Sequence, residues 1–312
     1  RALTTAQRQD RDVSVMAALQ ALPQWQQATP TQRERVLHHL NATLEQEYGG
    51  AVDELSAWYG TDSAEFGGGD ALFPGGFDQL VSHSARGLDV RLSMRVSRLE
   101  PGRVILTDGQ EIRASHIVVT VPLGVLQSGG VRFEPGLQPA RTEAIQTLRM
   151  GLLNKCWLRF DRVHWPDDVD WMEWQGPQVG RWAQWVSLAH RLKAPVLLGF
   201  NAAHAARALE GLSDRDTVAS AHEALRAMFG NGFPAPQAAQ ITRWGQDPLA
   251  LGSYSFNAVG SSRKTREALG GADWDGALWF AGEATEPTRF GTAHGAWMSG
   301  VRVAQALAQA LC

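Results

Sequence analysis

Apolar residues in the first sixty positions fall at helical spacing. Val15, Ala18 and Leu19 share one face, and Val36, Leu37, Leu40 and Leu44 another, so residues 11–59 are predicted helical. Thr29-Pro30-Thr31 supplies a break and a cap between two of these helices. The glycine turns Gly67-Gly68-Gly69 and Pro74-Gly75-Gly76 follow, and residues 77–85 again read as a helix. Short β-branched runs come next, Val-Arg-Leu at 90–92, Arg-Val-Ile-Leu at 103–106 and His-Ile-Val-Val-Thr-Val at 116–121. They predict strands separated by turns at Pro101-Gly102 and Asp108-Gly109. Pro122 lacks the N–H a ladder needs and stops the third.

From Gly151 the pattern changes. Residues 153–160 and 195–201 predict strands around a Trp-rich stretch, 214–229 an amphipathic helix, and 240–244 another strand. The tail from 278 is a strand followed by a helix. The early β-rich portion and the tail are expected to belong together, with the middle inserted between them.

Composition narrows the function classes. A chain of 312 residues with 44% hydrophobic content can build one large or two ordinary domains. Its 29 basic and 32 acidic residues leave no basic excess for phosphate backbones, which argues against nucleic acid as partner. Two cysteines, Cys156 and Cys312, make no disulfide framework and suggest a reducing, cytoplasmic setting. No apolar run approaches the roughly 20 residues of a membrane span. The polar start at Arg1 has neither a signal peptide nor an initiator Met, and a processed or partial product is expected. The nine histidines and two cysteines show no metal-ligand spacing, and no Gly-x-Ser-x-Gly elbow is present.

The tail carries the chemistry. Ala-Leu-Trp-Phe-Ala-Gly-Glu at 277–283 is a short apolar strand ending in a space-clearing glycine and a carboxylate. Thr-Ala-His-Gly-Ala at 292–296 and Ser299-Gly300 then open a helix, whose N-terminus attracts electron-rich oxygens. This unit resembles the C-terminal FAD-binding segment of the flavin-containing amine oxidase family, which includes polyamine oxidases, monoamine oxidases and flavin-type histone demethylases. Other segments are similar in the same order: the Gly-rich stretch 67–80, Val-Thr-Val-Pro-Leu-Gly-Val-Leu within 116–126, Gly-Leu-Leu-Asn-Lys at 151–155, Arg243-Trp244, and Gly252-Ser253-Tyr254. The likeness covers about residues 60–312. The family's Gly-x-Gly-x-x-Gly fingerprint is absent, so an N-terminal partner segment is expected to complete the FAD site.

The resemblance implies FAD as cofactor, and oxidation of an amine by hydride transfer to flavin N5, with O2 as acceptor and imine and hydrogen peroxide as products. It implies that Lys155 holds a water near N5 and that Tyr254 forms an aromatic wall guiding the amine. Thr292 falls where monoamine oxidases carry the opposite aromatic wall, which favours the polyamine-oxidase or demethylase branch. Trp244 is expected along the flavin, with Leu249 replacing a second tryptophan. Glu283 would accept ribityl or ribose hydroxyls beside Gly282, the Thr292 and Ala293 backbone would meet the pyrimidine edge, and the Val96 backbone would read adenine. From the residues alone, Lys155 also fits a surface lysine, Tyr254 and Trp244 core aromatics, and His294 a structural histidine. The acidic-aromatic run 167–174 reads as a solvated loop sooner than a cation-steering rim. An L-amino-acid oxidase, with Arg181 or Arg289 on the substrate carboxylate, and a non-catalytic fragment that needs a partner chain remain open.

The implied fold is α/β with α+β elements: an incomplete FAD-binding domain of amine-oxidase type interleaved with a mixed-sheet-plus-helices substrate domain. The expected division is 1–66 helical part of the substrate domain, 67–130 FAD-binding part, 131–250 substrate-binding part and 251–312 C-terminal FAD-binding part.

Overall fold

The computed structural model describes residues 2–64, 67 and 73–311. Gly68 and Gly69 of the predicted glycine turn lie outside the described residues, as do 70–72 of the segment 67–80.

The N-terminal helices are Val15–Gln20, Pro23–Gln27 and Pro30–Leu40. Thr29 and Gln32 form a reciprocal capping box at the start of the third, the cap that the Thr-Pro-Thr break predicts. This helix widens into a π turn at Asn41–Glu45 and ends at Gly49, whose φ of +66° suits a residue without Cβ. The π turn has no sequence signature.

A four-stranded sheet follows. β1 (Val96–Glu100), β2 (Arg103–Leu106) and β3 (Glu111–Arg113) are antiparallel neighbours; β4 (Ile117–Val119) leaves for another sheet, and β5 (Arg132–Phe133) joins β1 in parallel. The strand expected at 90–92 does not form. Val90 and Leu92 stand exposed and, among the described residues, no strand pairs with them, so their β-branched and apolar character buries nothing.

The middle of the chain builds a five-stranded antiparallel sheet in the order β11-β7-β10-β9-β8. After the short β6 (Arg149–Met150) come β7 (Leu153–Arg159), β8 (Trp171–Glu173), β9 (Gln184–Ser187), β10 (Val196–Ala202) and β11 (Ala238–Ile241). Alternation along β7 sorts its side chains. Cys156 and Leu158 enter a core with Trp182, Trp185, Ala221 and Leu225, covered by the helix Asp214–Phe229. Lys155 and Trp157 project from the opposite face. The strand expected at 240–244 runs instead over Ala238–Ile241; beyond it the Thr242 N–H still donates to the Lys155 carbonyl at 2.9 Å, and the Trp244 N–H donates to the Asn154 side chain at 3.1 Å.

β12 (Ser255–Phe256) pairs with β6, and the hairpin of β13 (Gly271–Asp273) and β14 (Leu278–Phe280) completes the third sheet. There β14 lies parallel to β4, joining the tail to the early β region, in the order β13-β14-β4. Arg141 and Asp273, both buried, form an ion pair that ties the helix Pro139–Thr147 to β13. The chain ends in the helix Ala293–Ala310. The α/β class expected from the sequence is the class observed.

Candidate functional site

Parallel strands in an open sheet present ligand sites beyond their carboxyl ends. Here β4 runs out through Thr120, Val121 and Pro122, and β14 through Ala281, Gly282 and Glu283; between them opens a cleft of about 260 Å³. Trp244, Ser253 and Ala296 also line it, and Val119 and Phe280 form part of its apolar wall. The Gly282 backbone has φ +131° and ψ +167°, a region that essentially only glycine occupies. Among the described residues a Cβ built there meets only the Thr120 carbonyl oxygen, at 3.9 Å, so the side-chain direction is open.

The C-terminal helix is locked against this turn. Thr292 caps it, accepting the Gly295 N–H at 3.0 Å and donating to the Arg289 carbonyl at 2.7 Å. Ser299 Oγ accepts the Gly282 N–H at 2.8 Å. Gly295 is required by close approach: a Cβ would stand 1.9 Å from the Arg289 carbonyl oxygen. The Thr-Ala-His-Gly motif is thus a capping and packing device that brings the helix start to the cleft.

Glu283 is more occupied than its sequence context suggests. Oε1 accepts the Ser255 N–H at 3.0 Å; Oε2 accepts the Ser255 hydroxyl at 2.7 Å and the Gly291 N–H at 2.6 Å. A carboxylate offers about four acceptor positions, so one remains for a ligand hydroxyl. Behind it Arg266, fully buried, donates to Ser255 Oγ and to Asn257 Oδ1 at 2.8 Å each, and stacks 3.7 Å from the Phe290 ring centroid. Burial pushes the Arg266 guanidinium down to about 9, against the pull of Glu283 and Glu286, so it stays cationic at neutral pH. Neither Arg266 nor Ser255 was singled out in the sequence. Neither carries a local sequence signal, since Arg266 meets Ser255, Asn257 and Phe290 only in the folded chain.

Of the residues expected in the site, Trp244, Gly282 and Glu283 line the cleft together. Lys155, Tyr254, Thr292, Ala293 and Val96 do not line it, and Lys155 lines a separate small cavity with Asn154, Glu210, Thr242 and Arg243. Ser253 fixes Lys155's strand, bonding both the Leu153 N–H and its carbonyl, and burial holds the half-buried Lys155 ammonium below its usual range. The Tyr254 hydroxyl donates to the Gln46 carbonyl at 2.8 Å, just past the π turn, and burial raises its pKa. Ala293 is exposed in the first turn of the C-terminal helix. Val96 packs with Leu99, Val119 and Phe280 behind the cleft wall. Arg181 lies outside the cleft, beside Gln178 and Trp182. In the acidic run, Asp170 is engaged by His190 and Arg191.

The cleft fits a flavin on these observations: an open backbone at Gly282, a carboxylate with spare acceptor capacity, a helix start and an aromatic side chain, all at the ends of parallel strands. Among the described residues no helix is long and apolar enough to cross a membrane, and no group of three or more His, Cys, Asp or Glu is arranged to hold a metal ion.

Comparison with known proteins converges here. Residues 21–308 match the model of the flavin containing amine oxidoreductase family. The chain belongs to that family, whose cofactor is FAD. It is 35% identical over 306 residues to lysine-specific histone demethylase 1 homolog 3 of Oryza sativa subsp. indica, covering 94% of this chain and 38% of that protein. It is 32% identical over 268 residues to polyamine oxidase 4 of Oryza sativa subsp. japonica, covering 81% of this chain and 54% of that protein. A double mutant of putrescine oxidase, from a redesign of cofactor binding, superimposes with a TM-score of 0.73 at 17% identity over 95% of this chain and 68% of that one, which is a likeness of fold. The chain therefore spans well under half the length of the demethylase relative.

Proposed function

We propose that this chain contributes the substrate side and part of the flavin side of an FAD-dependent amine oxidase acting on a polyamine-like or other primary or secondary amine. The observation that carries the reading is the cleft at the ends of β4 and β14, with bare Gly282 and Glu283 on one wall and Trp244 on another. Bound FAD supplies the redox chemistry, accepting a hydride from the carbon beside the amine nitrogen and passing the electrons to O2, with imine and hydrogen peroxide as products.

The chain's own residues then have distinct tasks. Gly282 admits close approach, Glu283 accepts a ribityl or ribose hydroxyl, and Trp244 offers a flat apolar surface. The backbone at Thr292 and Ala293 meets the pyrimidine edge, and the Val96 backbone the adenine. Lys155 holds a water at the reactive edge; burial favours its neutral amine, which can both accept and donate a proton. Tyr254 is an aromatic wall for the uncharged amine, with its ring fixed through Gln46. Thr292, its hydroxyl committed to the helix cap, presents only its methyl group and backbone to substrate. In this reading 67–130 and 251–312 are flavin-side portions, and 1–66 and 131–250 form the substrate side.

A second reading, that the chain needs a partner segment to complete the flavin site, is favoured by the edge of the third sheet. Among the described residues β4 is hydrogen-bonded on one side only, and Val118 on it is exposed, whereas parallel strands are normally covered. An added strand at β4 would complete the layer. Hydrogen peroxide release by the flavin-loaded protein, measured over polyamines, monoamines and L-amino acids, tests the assignment. Release with polyamines supports it. Release with L-amino acids alone makes the chain an amino-acid oxidase, and no release from any amine rejects it.

A further inference from the structure

On the face of the five-stranded sheet turned away from its helix-covered core, four side chains stand in register across four strands. Phe200 of β10 pairs with Lys155 of β7 on one side and with Gln184 of β9 on the other, and Glu173 of β8 pairs with Gln184. The Lys155 ammonium lies over the Phe200 ring, 5.9 Å from its centroid. Phe200 is buried and stacks on Trp171 of β8, with centroids 5.7 Å apart and planes inclined by 22°. No carboxylate among the described residues reaches ion-pair distance of Lys155. Glu173 is at the far end of the row, three strands away, and accepts from Gln184 Nε2 at 3.4 Å. Glu45, on the π turn whose Ala42 carbonyl accepts from Gln184, is taken up by Asn41 and the Val52 N–H.

A half-buried ammonium with no counter-ion ordinarily turns toward water. Here the negative face of an aromatic ring supplies the attraction, and the ring cannot swing away because a second aromatic is stacked on it. We propose that Phe200, clamped by Trp171, is a positioning residue for Lys155: it fixes where the amine stands and retains part of its protonated form, beside a cavity that Glu210 and Arg243 also line. The functional consequence rests on the role given to Lys155 above; the contact itself does not.

The test uses no flavin, so its failure and the failure of the oxidase reading are separable. The chain has three lysines, Lys155, Lys193 and Lys264, and the latter two are exposed internal controls. Labelling by an amine-reactive reagent across pH, quantified by peptide mass spectrometry, gives a midpoint and a plateau for each. Phe200→Leu keeps the site apolar but removes the ring's quadrupole. Loss of a cation–π contact lowers the Lys155 midpoint by about half a pH unit, a two- to five-fold faster labelling below it. The plateau and both control lysines stay unchanged, and Phe200→Tyr restores the wild-type midpoint. Trp171→Leu, an exposed change that spares the core, shifts the midpoint the same way by less and serves if Phe200→Leu does not fold. A change in plateau with an unmoved midpoint would mean only altered access and would overturn the proposal, as would a Tyr variant that behaves like Leu.

Discussion

Glu283 and Ser255 are held together by two hydrogen bonds, N–H to Oε1 at 3.0 Å and hydroxyl to Oε2 at 2.7 Å, with Arg266 donating to the same hydroxyl from behind. The carboxylate that lines the cleft is therefore also a structural clasp between β12 and the Gly282 turn. Flavin binding and fold stability share one side chain.

Glu283→Gln should expose that sharing. A glutamine must present its NH2 toward at least one of the three donors that Glu283 accepts and loses the charge, and a hydrogen bond to a charged group contributes roughly 1.5–3 kcal/mol. The variant should lose about 2 kcal/mol in urea unfolding and bind flavin more weakly. Unchanged stability with weakened binding would mean that the clasp is energetically idle.

Gly282→Ala separates the two effects differently. Its backbone sits in a glycine-only region, so alanine costs about 1–3 kcal/mol of strain, yet no neighbouring atom crowds the new methyl group. The variant should remain folded by circular dichroism while flavin affinity falls at least about tenfold, since 1.4 kcal/mol of clash suffices for that.

Away from the cleft, Asp273→Asn should be among the most damaging single changes. It strips the counter-ion from Arg141, which is buried against the Phe280 ring. Removing one partner of a buried ion pair typically costs 3–5 kcal/mol. Thermal unfolding should report this, and Arg141→Met together with Asp273→Leu should recover part of the loss.

Lys155→Met makes a signed prediction. The folded pKa of Lys155 is depressed by burial, so below that pKa the native state carries the cost of a desolvated ammonium. Between the lowered pKa and about 10.5 the native state binds fewer protons than the unfolded chain, and stability rises with pH there. The methionine variant should be more stable at neutral pH and lack that rise. In the flavin-loaded enzyme its turnover should fall by about a hundredfold or more, the contribution of a positioned acid–base group.

How far the sequence could be read follows from what sets each element. β7, β10 and the helix Asp214–Phe229 were legible because their apolar period and caps agree with their burial. The expected strand at 90–92 failed because strand-forming residues need a neighbour, and pairing is non-local. The π turn at Asn41–Glu45 depends on tertiary acceptors, since its region receives bonds from Gln184 and Tyr254. In the site, Gly282, Glu283 and Trp244 were found through local motifs. Arg266, the Ser255 clasp and the Phe200 ring under Lys155 were not, because each becomes informative only when segments distant in sequence meet.

Hydrogen–deuterium exchange with and without a large excess of FAD addresses the central claim most directly. Protection of backbone amides at 281–285 and in the first turn of the C-terminal helix, with little change in the helix Asp214–Phe229, is the predicted result. Bound flavin that leaves the Gly282 turn exchanging as before, or that protects some other surface instead, would contradict the account.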